Sequence, residues 1–217
     1  MSNTNRERKE VKFGVAYKKA VEKLRRNVLS KPEFDPAVLF QWGLMMALGV
    51  LQMLKDVEER FGEEGQKICG EAMRKVGRDA ARQMLDGADI PPGISQIELI
   101  SQVATYANTV LWASLEDPWI LSEDECGFDI LWCPLQDSYL PFDCRVQRYF
   151  VQGILEYARE KAKMDAFNVA FESIIPAGAP TCKFRIWRKK PDEGDAWSTY
   201  TKKLEEKSLR KLRERHE

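Results

Sequence analysis

The chain reads as an α+β protein: an antiparallel layer of helices followed by a small antiparallel sheet with one helix packed on it. Two observations predict this. Apolar residues recur at helical spacing through the first half, interrupted only by short Gly/Pro breaks. Later, two alternating stretches, 166–175 and 181–187, flank the turn sequence Pro176-Ala177-Gly178-Ala179-Pro180, which predicts a hairpin.

The elements follow in order. Glu7 to Leu29 has Val11, Val15, Ala16, Leu24 and Val28 on one stripe and predicts a helix that stops at Lys31-Pro32. Asp35-Pro36 has the form of an N-cap with proline in the first turn, opening a helix from Pro36 to about Phe61. Gly62 breaks it, and Glu63 to Leu85 forms a third helix. Pro91-Pro92-Gly93 makes a loop before a fourth, from Ser95 to about Ser114. After Asp117-Pro118, Cys126–Trp132 reads as a strand ended by Cys133-Pro134. Asp143 to Lys163 is helical and leads into the hairpin. Three regions result: an N-terminal helix and arm (1–34), a single α+β domain (35–188, helical to 117 and sheet-bearing from 118), and a charged C-terminal tail (189–217) holding a helix from about Ser198.

A chain of 217 residues buries about 70% of the surface it exposes when unfolded, so it needs no staple. Lys+Arg and Asp+Glu are equal at 34, which argues against a nucleic-acid-binding domain. Five cysteines cannot all pair within one chain, and reduced thiols fit a cytoplasmic setting. Residues 1–10 lack the apolar run of a signal peptide. The apolar stretch 37–54 contains Gln41 and Gln52 and runs directly into charge at Lys55. The expected reading is a buried or subunit-interface helix, with a homo-oligomer formed through it and no membrane span. Gly43 and Gly49 inside it would permit close helix crossing.

The single histidine, His216, sits in the tail, which removes Ser–His and Cys–His triads and histidine metal sites within one chain. No nucleotide-binding glycine motif is present, the cysteine spacings match no zinc pattern, and no metal or cofactor is expected. Chemistry then falls to Cys, carboxylates, Tyr, Lys, Arg or a bound cofactor, although no motif implies one. Cys133, at a strand end in W-C-P-L-Q-D, is the candidate nucleophile, its plain alternative being a buried small hydrophobe. Asp129 alternates with Phe128 and Ile130 and would face away from them, as a candidate acid–base group. Asp137 is a second. Aromatic residues crowd the second half and suit either a core or an apolar ligand pocket.

The stretch F-D-I-L-W-C-P, followed by a helix, a strand and P-A-G-A-P-T-C-K-F-R-I, resembles the L-2-amino-thiazoline-4-carboxylic acid hydrolase family over roughly residues 35–188. The resemblance implies hydrolytic opening of a C–N bond in a small cyclic amidine-like or amide substrate, with Cys133 and Cys182 matching the family's cysteines. It departs from the pattern in the helix before the hairpin, where the cysteine lies at the start, as Cys144. On this reading Cys133 attacks, Asp129 or Asp137 moves the proton, Arg145 or Arg148 holds a substrate carboxylate, and Tyr149 and Cys182 line the site. The alternatives are a non-catalytic small-molecule-binding protein, a subunit of a larger enzyme, and a cofactor-free lyase or isomerase using Asp129, Tyr139 or Tyr149.

Overall fold

A computed structural model describes residues 9–214. Residues 1–8, with the start of the helix expected from Glu7, and His216 lie outside the described residues. Among the described residues the architecture is α+β: five α-helices and one four-stranded antiparallel sheet of order β1-β2-β4-β3.

The N-terminal segment departs from the expected helix of 7–29. Residues 9–16 run extended along the end of a later helix: Lys12 and Asp89 exchange backbone hydrogen bonds, and the Gly14 N–H donates to the Met84 carbonyl at 2.8 Å. Val11 and Ala16 are buried there. Helix α1 (Lys18–Leu24) begins only after Tyr17 and continues as a π-helical stretch over Arg25–Leu29. The apolar residues that suggested one helical stripe are therefore split between an arm docked on the core and a largely exposed turn.

Helix α2 (Ala37–Asp86) starts where Asp35 caps it, its carboxylate accepting from Ala37 N–H at 2.9 Å. Gly62, at φ 58 and ψ −135, breaks it into limbs 37–61 and 63–86, as its sequence position predicts. Gln66 Nε2 donates to Glu58 Oε1 at 2.9 Å across that break. Eight residues of straight helix would hold them about 12 Å apart along the axis, so the chain folds back here. Helix α3 (Gln96–Trp112) opens with a full capping box between Ser95 and Glu98.

Strand β1 (Leu115–Ile120) was not expected, because Glu116, Asp117 and Pro118 give it the composition of a loop. It is an edge strand, where proline withholds no needed donor. Strand β2 (Glu125–Trp132) pairs with it and with β4 (Cys182–Arg188). β3 (Phe167–Ser173) forms the expected hairpin with β4. Cys126, Phe128, Ile130, Val169, Phe184 and Ile186 face inward from the sheet.

Three helices meet that face. Helix α4 (Arg145–Ala162) contributes Val151 and Leu155, α3 contributes Ile97 and Ile100, and α5 (Ala196–Arg213) contributes Trp197. The segment read as a charged tail therefore holds a packed helix. Its buried stripe is Trp197, Thr201, Leu204, Ser208 and Leu212, at spacings of four and three. Two of those five are hydroxyl residues, so the stripe is faint in a hydropathy reading.

α4 also lies against the second limb of α2 at backbone contact distance. A Cβ on Gly77 would sit 2.0 Å from the Phe150 carbonyl oxygen. Gly77→Ala must push the helices apart, and urea unfolding should show a loss of about 2–3 kcal/mol despite alanine's better helix propensity.

Candidate functional site

A cavity of about 90 Å³ lies between the inner face of the sheet and helices α3, α4 and α5. Its wall is largely apolar: Val103 from α3, Val151 from α4, and Phe128, Ile130 and Phe184 from the sheet. The connection after β2 closes one side with Cys133, Leu135 and Tyr139.

Of the predicted site residues, the cavity gathers Cys133, Cys182 and Arg148, together with Tyr139 of the lyase or isomerase alternative. The others lie elsewhere. Asp129 is on the opposite face of the sheet, in register with Asp117 and Lys183, where Trp119 Nε1 donates to it at 3.4 Å. The alternation that set it apart from Phe128 and Ile130 is real, but the cavity is on their side. Asp137 is exposed on the turn after Cys133. Arg145 is buried in an ion pair with Glu58 and does not line the cavity. The Tyr149 hydroxyl donates to Glu205 Oε1 at 2.6 Å, and its ring packs against Gly70. The proposed roles of Asp129 and Asp137 as proton carriers, and of Arg145 and Tyr149 as substrate contacts, are not supported by these positions.

Arg148 is 1% exposed. Nε donates to Thr201 Oγ1 at 2.8 Å and Nη2 to the Trp197 carbonyl at 2.7 Å, tying α4 to the start of α5. Its guanidinium carbon stands 3.7 Å from the Trp197 ring centroid. Nη1 has no hydrogen-bond partner within the described residues, and no carboxylate bonds or ion-pairs with the group. Burial accordingly pulls its pKa down to about 9. Two further atoms of cavity-lining residues are buried without partners, Trp197 Nε1 and Gln147 Oε1. Two unused donors and one unused acceptor thus lie buried on residues that line an almost wholly apolar cavity, within its wall rather than open to it.

The surroundings of the thiols favour the alternative of buried small hydrophobes over an activated nucleophile. Burial raises the pKa of Cys133, against the smaller opposing effect of hydrogen bonds from backbone groups of Leu135 and Gln136. Burial raises Cys182 as well, and pushes Cys144 up to about 12. None of the five cysteines forms a disulfide. No cluster of His, Cys, Asp or Glu among the described residues is arranged to hold a metal ion.

Sequence reasoning missed Glu116. It pairs with Ile130 across β1 and β2, which puts its side chain on the inner face. Ser114, a cavity-lining residue, donates to Glu116 Oε1 at 2.7 Å, while Oε2 is buried without a partner. Burial raises this carboxyl to about 8, so it is mostly protonated at neutral pH. Only recognition of β1 as a strand would have turned Glu116 inward. The linkage has a definite sign. Between about pH 4.5 and 8 the folded state holds a proton that the unfolded state has released, so this group makes stability fall as pH rises over that window. Glu116→Gln should flatten that part of the stability profile, measured as urea midpoint against pH.

No family model matches the chain. An uncharacterized protein of Archaeoglobus fulgidus is 46% identical to it over 202 residues, covering 91% of this chain and 89% of that protein.

Proposed function

The chain belongs to one family with that archaeal protein, and we propose that it binds a small, mostly apolar molecule through a carboxylate or similar anionic group, in the cavity under the sheet. The observation that carries this reading is Arg148: a buried guanidinium in an apolar wall with one unused nitrogen and no carboxylate bonded to it. An isolated buried charge is costly, and an anionic ligand removes most of that cost on binding. The volume limits the ligand. At about 90 Å³ the space is smaller than the ~150 Å³ cavity that accommodates benzene, so a short carboxylate fits without movement of the wall. Thermal melts with acetate, propionate, butyrate and valerate test this. Protection should pass through a maximum along the series. No protection by any member, with the uncharged amides as controls, overturns the reading.

Hydrolysis of a C–N bond is the second reading. It is favoured by the position of Cys133 on the cavity wall, its sulfur hydrogen-bonded by backbone groups at the following bend. In such a reaction the sulfur adds to an amide carbon, the thiol proton passes to the leaving nitrogen, and the C–N bond breaks. Water then cleaves the thioester, releasing the acid and restoring the thiol. On this reading Glu116, joined to the wall through Ser114 and on the inner face of the sheet, takes the proton-relaying role first given to Asp129. Iodoacetamide labelling of the native protein between about pH 5 and 9 separates the two readings. Rapid alkylation of Cys133 with an apparent pKa below about 8.5 supports catalysis. A thiol inert until unfolding leaves binding alone.

A further inference from the structure

We infer that the first limb of α2 is the contact between two copies of this chain. Residues 37–54 carry no charge, and of them only Leu51 and Leu54 are buried in the chain's own core. The outward face presents Val38, Leu39, Trp42, Met45, Met46 and Met53, with Trp42, Met45 and Met53 each 61% exposed. The uncovered side chains of this face amount to roughly 600 Å², the upper end of the ~300–600 Å² of the largest patch on a typical monomer and most of the ~800 Å² that one side of a standard interface buries.

Gly49 is the second, independent observation. It lies three residues after Met46, four after Met45 and four before Met53, in the middle of this face. A Cβ there would meet nothing within 4 Å, so the chain's own packing does not require glycine. Glycine in a helix interior costs about 1 kcal/mol relative to alanine. A hollow ringed by methionines and Trp42 suits the close approach of a second helix, with the flexible methionines filling the irregular gap. The pairing also reaches the cavity. The Tyr139 hydroxyl donates to the Ala47 carbonyl at 3.4 Å, and Leu135 and Tyr139 pack with Leu51 and Leu54. A partner on the limb therefore backs the connection that carries Cys133.

Light scattering of the full chain after size exclusion tests this, together with two variants at exposed positions, Gly49→Leu and Met45→Lys. The parent should have twice the 25.0 kDa chain mass. Each variant should keep its circular dichroism spectrum and raise the dimer dissociation constant at least about 100-fold. A dimer unchanged in both variants overturns the proposal, because another face then makes it. So does a monomeric parent. The exposed cations Lys18, Lys19, Lys23, Arg25, Arg26 and Lys31 precede the limb, and its length and composition would allow it to cross a bilayer. Sedimentation with phosphatidylglycerol vesicles is therefore run alongside. A monomer that pellets with them assigns the limb to a membrane surface instead.

Discussion

Replacing Arg148 by methionine should abolish protection by small carboxylates and leave the protein as stable as the parent, or more so. The guanidinium has two hydrogen bonds, to Thr201 and Trp197, and lies over the Trp197 ring, but no carboxylate bonds to it. Methionine loses those bonds. It also removes a charge whose burial is costly enough to draw its pKa down to about 9, and it is close enough in shape to fill the space between Phe171 and Trp197. Hydrogen bonds to a charged group contribute about 1.5–3 kcal/mol each, and truncating a buried charge partner costs about 2–5 kcal/mol, so affinity should fall by roughly two orders of magnitude or more. The pH dependence supplies a second check. The ligand binds the charged guanidinium, so affinity should hold through neutrality and decline as pH rises through about 9, well below the usual arginine range. Calorimetric titration with the best carboxylate from the melts measures both effects. Retained binding in the variant would remove Arg148 from the site.

The sequence made the sheet and the helical layer legible where periodicity is strong. The hairpin, the break at Gly62, the cap at Asp35 and the capping box at Ser95 are all local features, and they lie where residue type requires them. The failures occurred where long-range packing overrides composition. β1 is readable as a strand only once it is known to be an edge. α5 is legible as a helix from about Ser198, but its buried stripe is hidden behind Thr201 and Ser208, so its docking on the core is not. The arm at 9–16 depends on docking against Met84 and Asp89, residues distant in sequence. The site divides in the same way. Cys133 is legible from its strand end, whereas Cys182 enters the site only through the family resemblance. The choice between the two faces of β2, on which Asp129 depended, needed the position of the helices.

Arg145 and Arg148 show the limit most sharply, since they are three residues apart on one helix and equally buried, and nothing local distinguishes them. Their partners do. Arg145 forks onto Glu58, with Nε 2.9 Å from Oε1, and also donates to the Phe142 carbonyl and Asp143. Gln66 and Ser208 donate to the same Glu58 carboxylate, and Lys55 stands 3.2 Å from Asp143. The cluster balances two cations against two anions, and it binds the turn of α2 to α4 and α5. Removing one member leaves an uncompensated charge where water cannot reach. Glu58→Met should therefore cost about 3–5 kcal/mol, while the double variant Glu58→Met/Arg145→Met should recover most of that loss, because both buried charges leave together. For a domain of this size the single variant's melting temperature should fall by about 6–20 °C. Arg145→Met alone should be destabilising by a similar amount and Arg148→Met should not, although the same side chain is exchanged one helical turn away. Urea unfolding of the four variants decides it. If the single and double variants fall equally, the network contributes through packing rather than charge. If Arg148→Met falls as far as Arg145→Met, Arg148 is a second structural arginine, and the cavity has lost its anion-binding group.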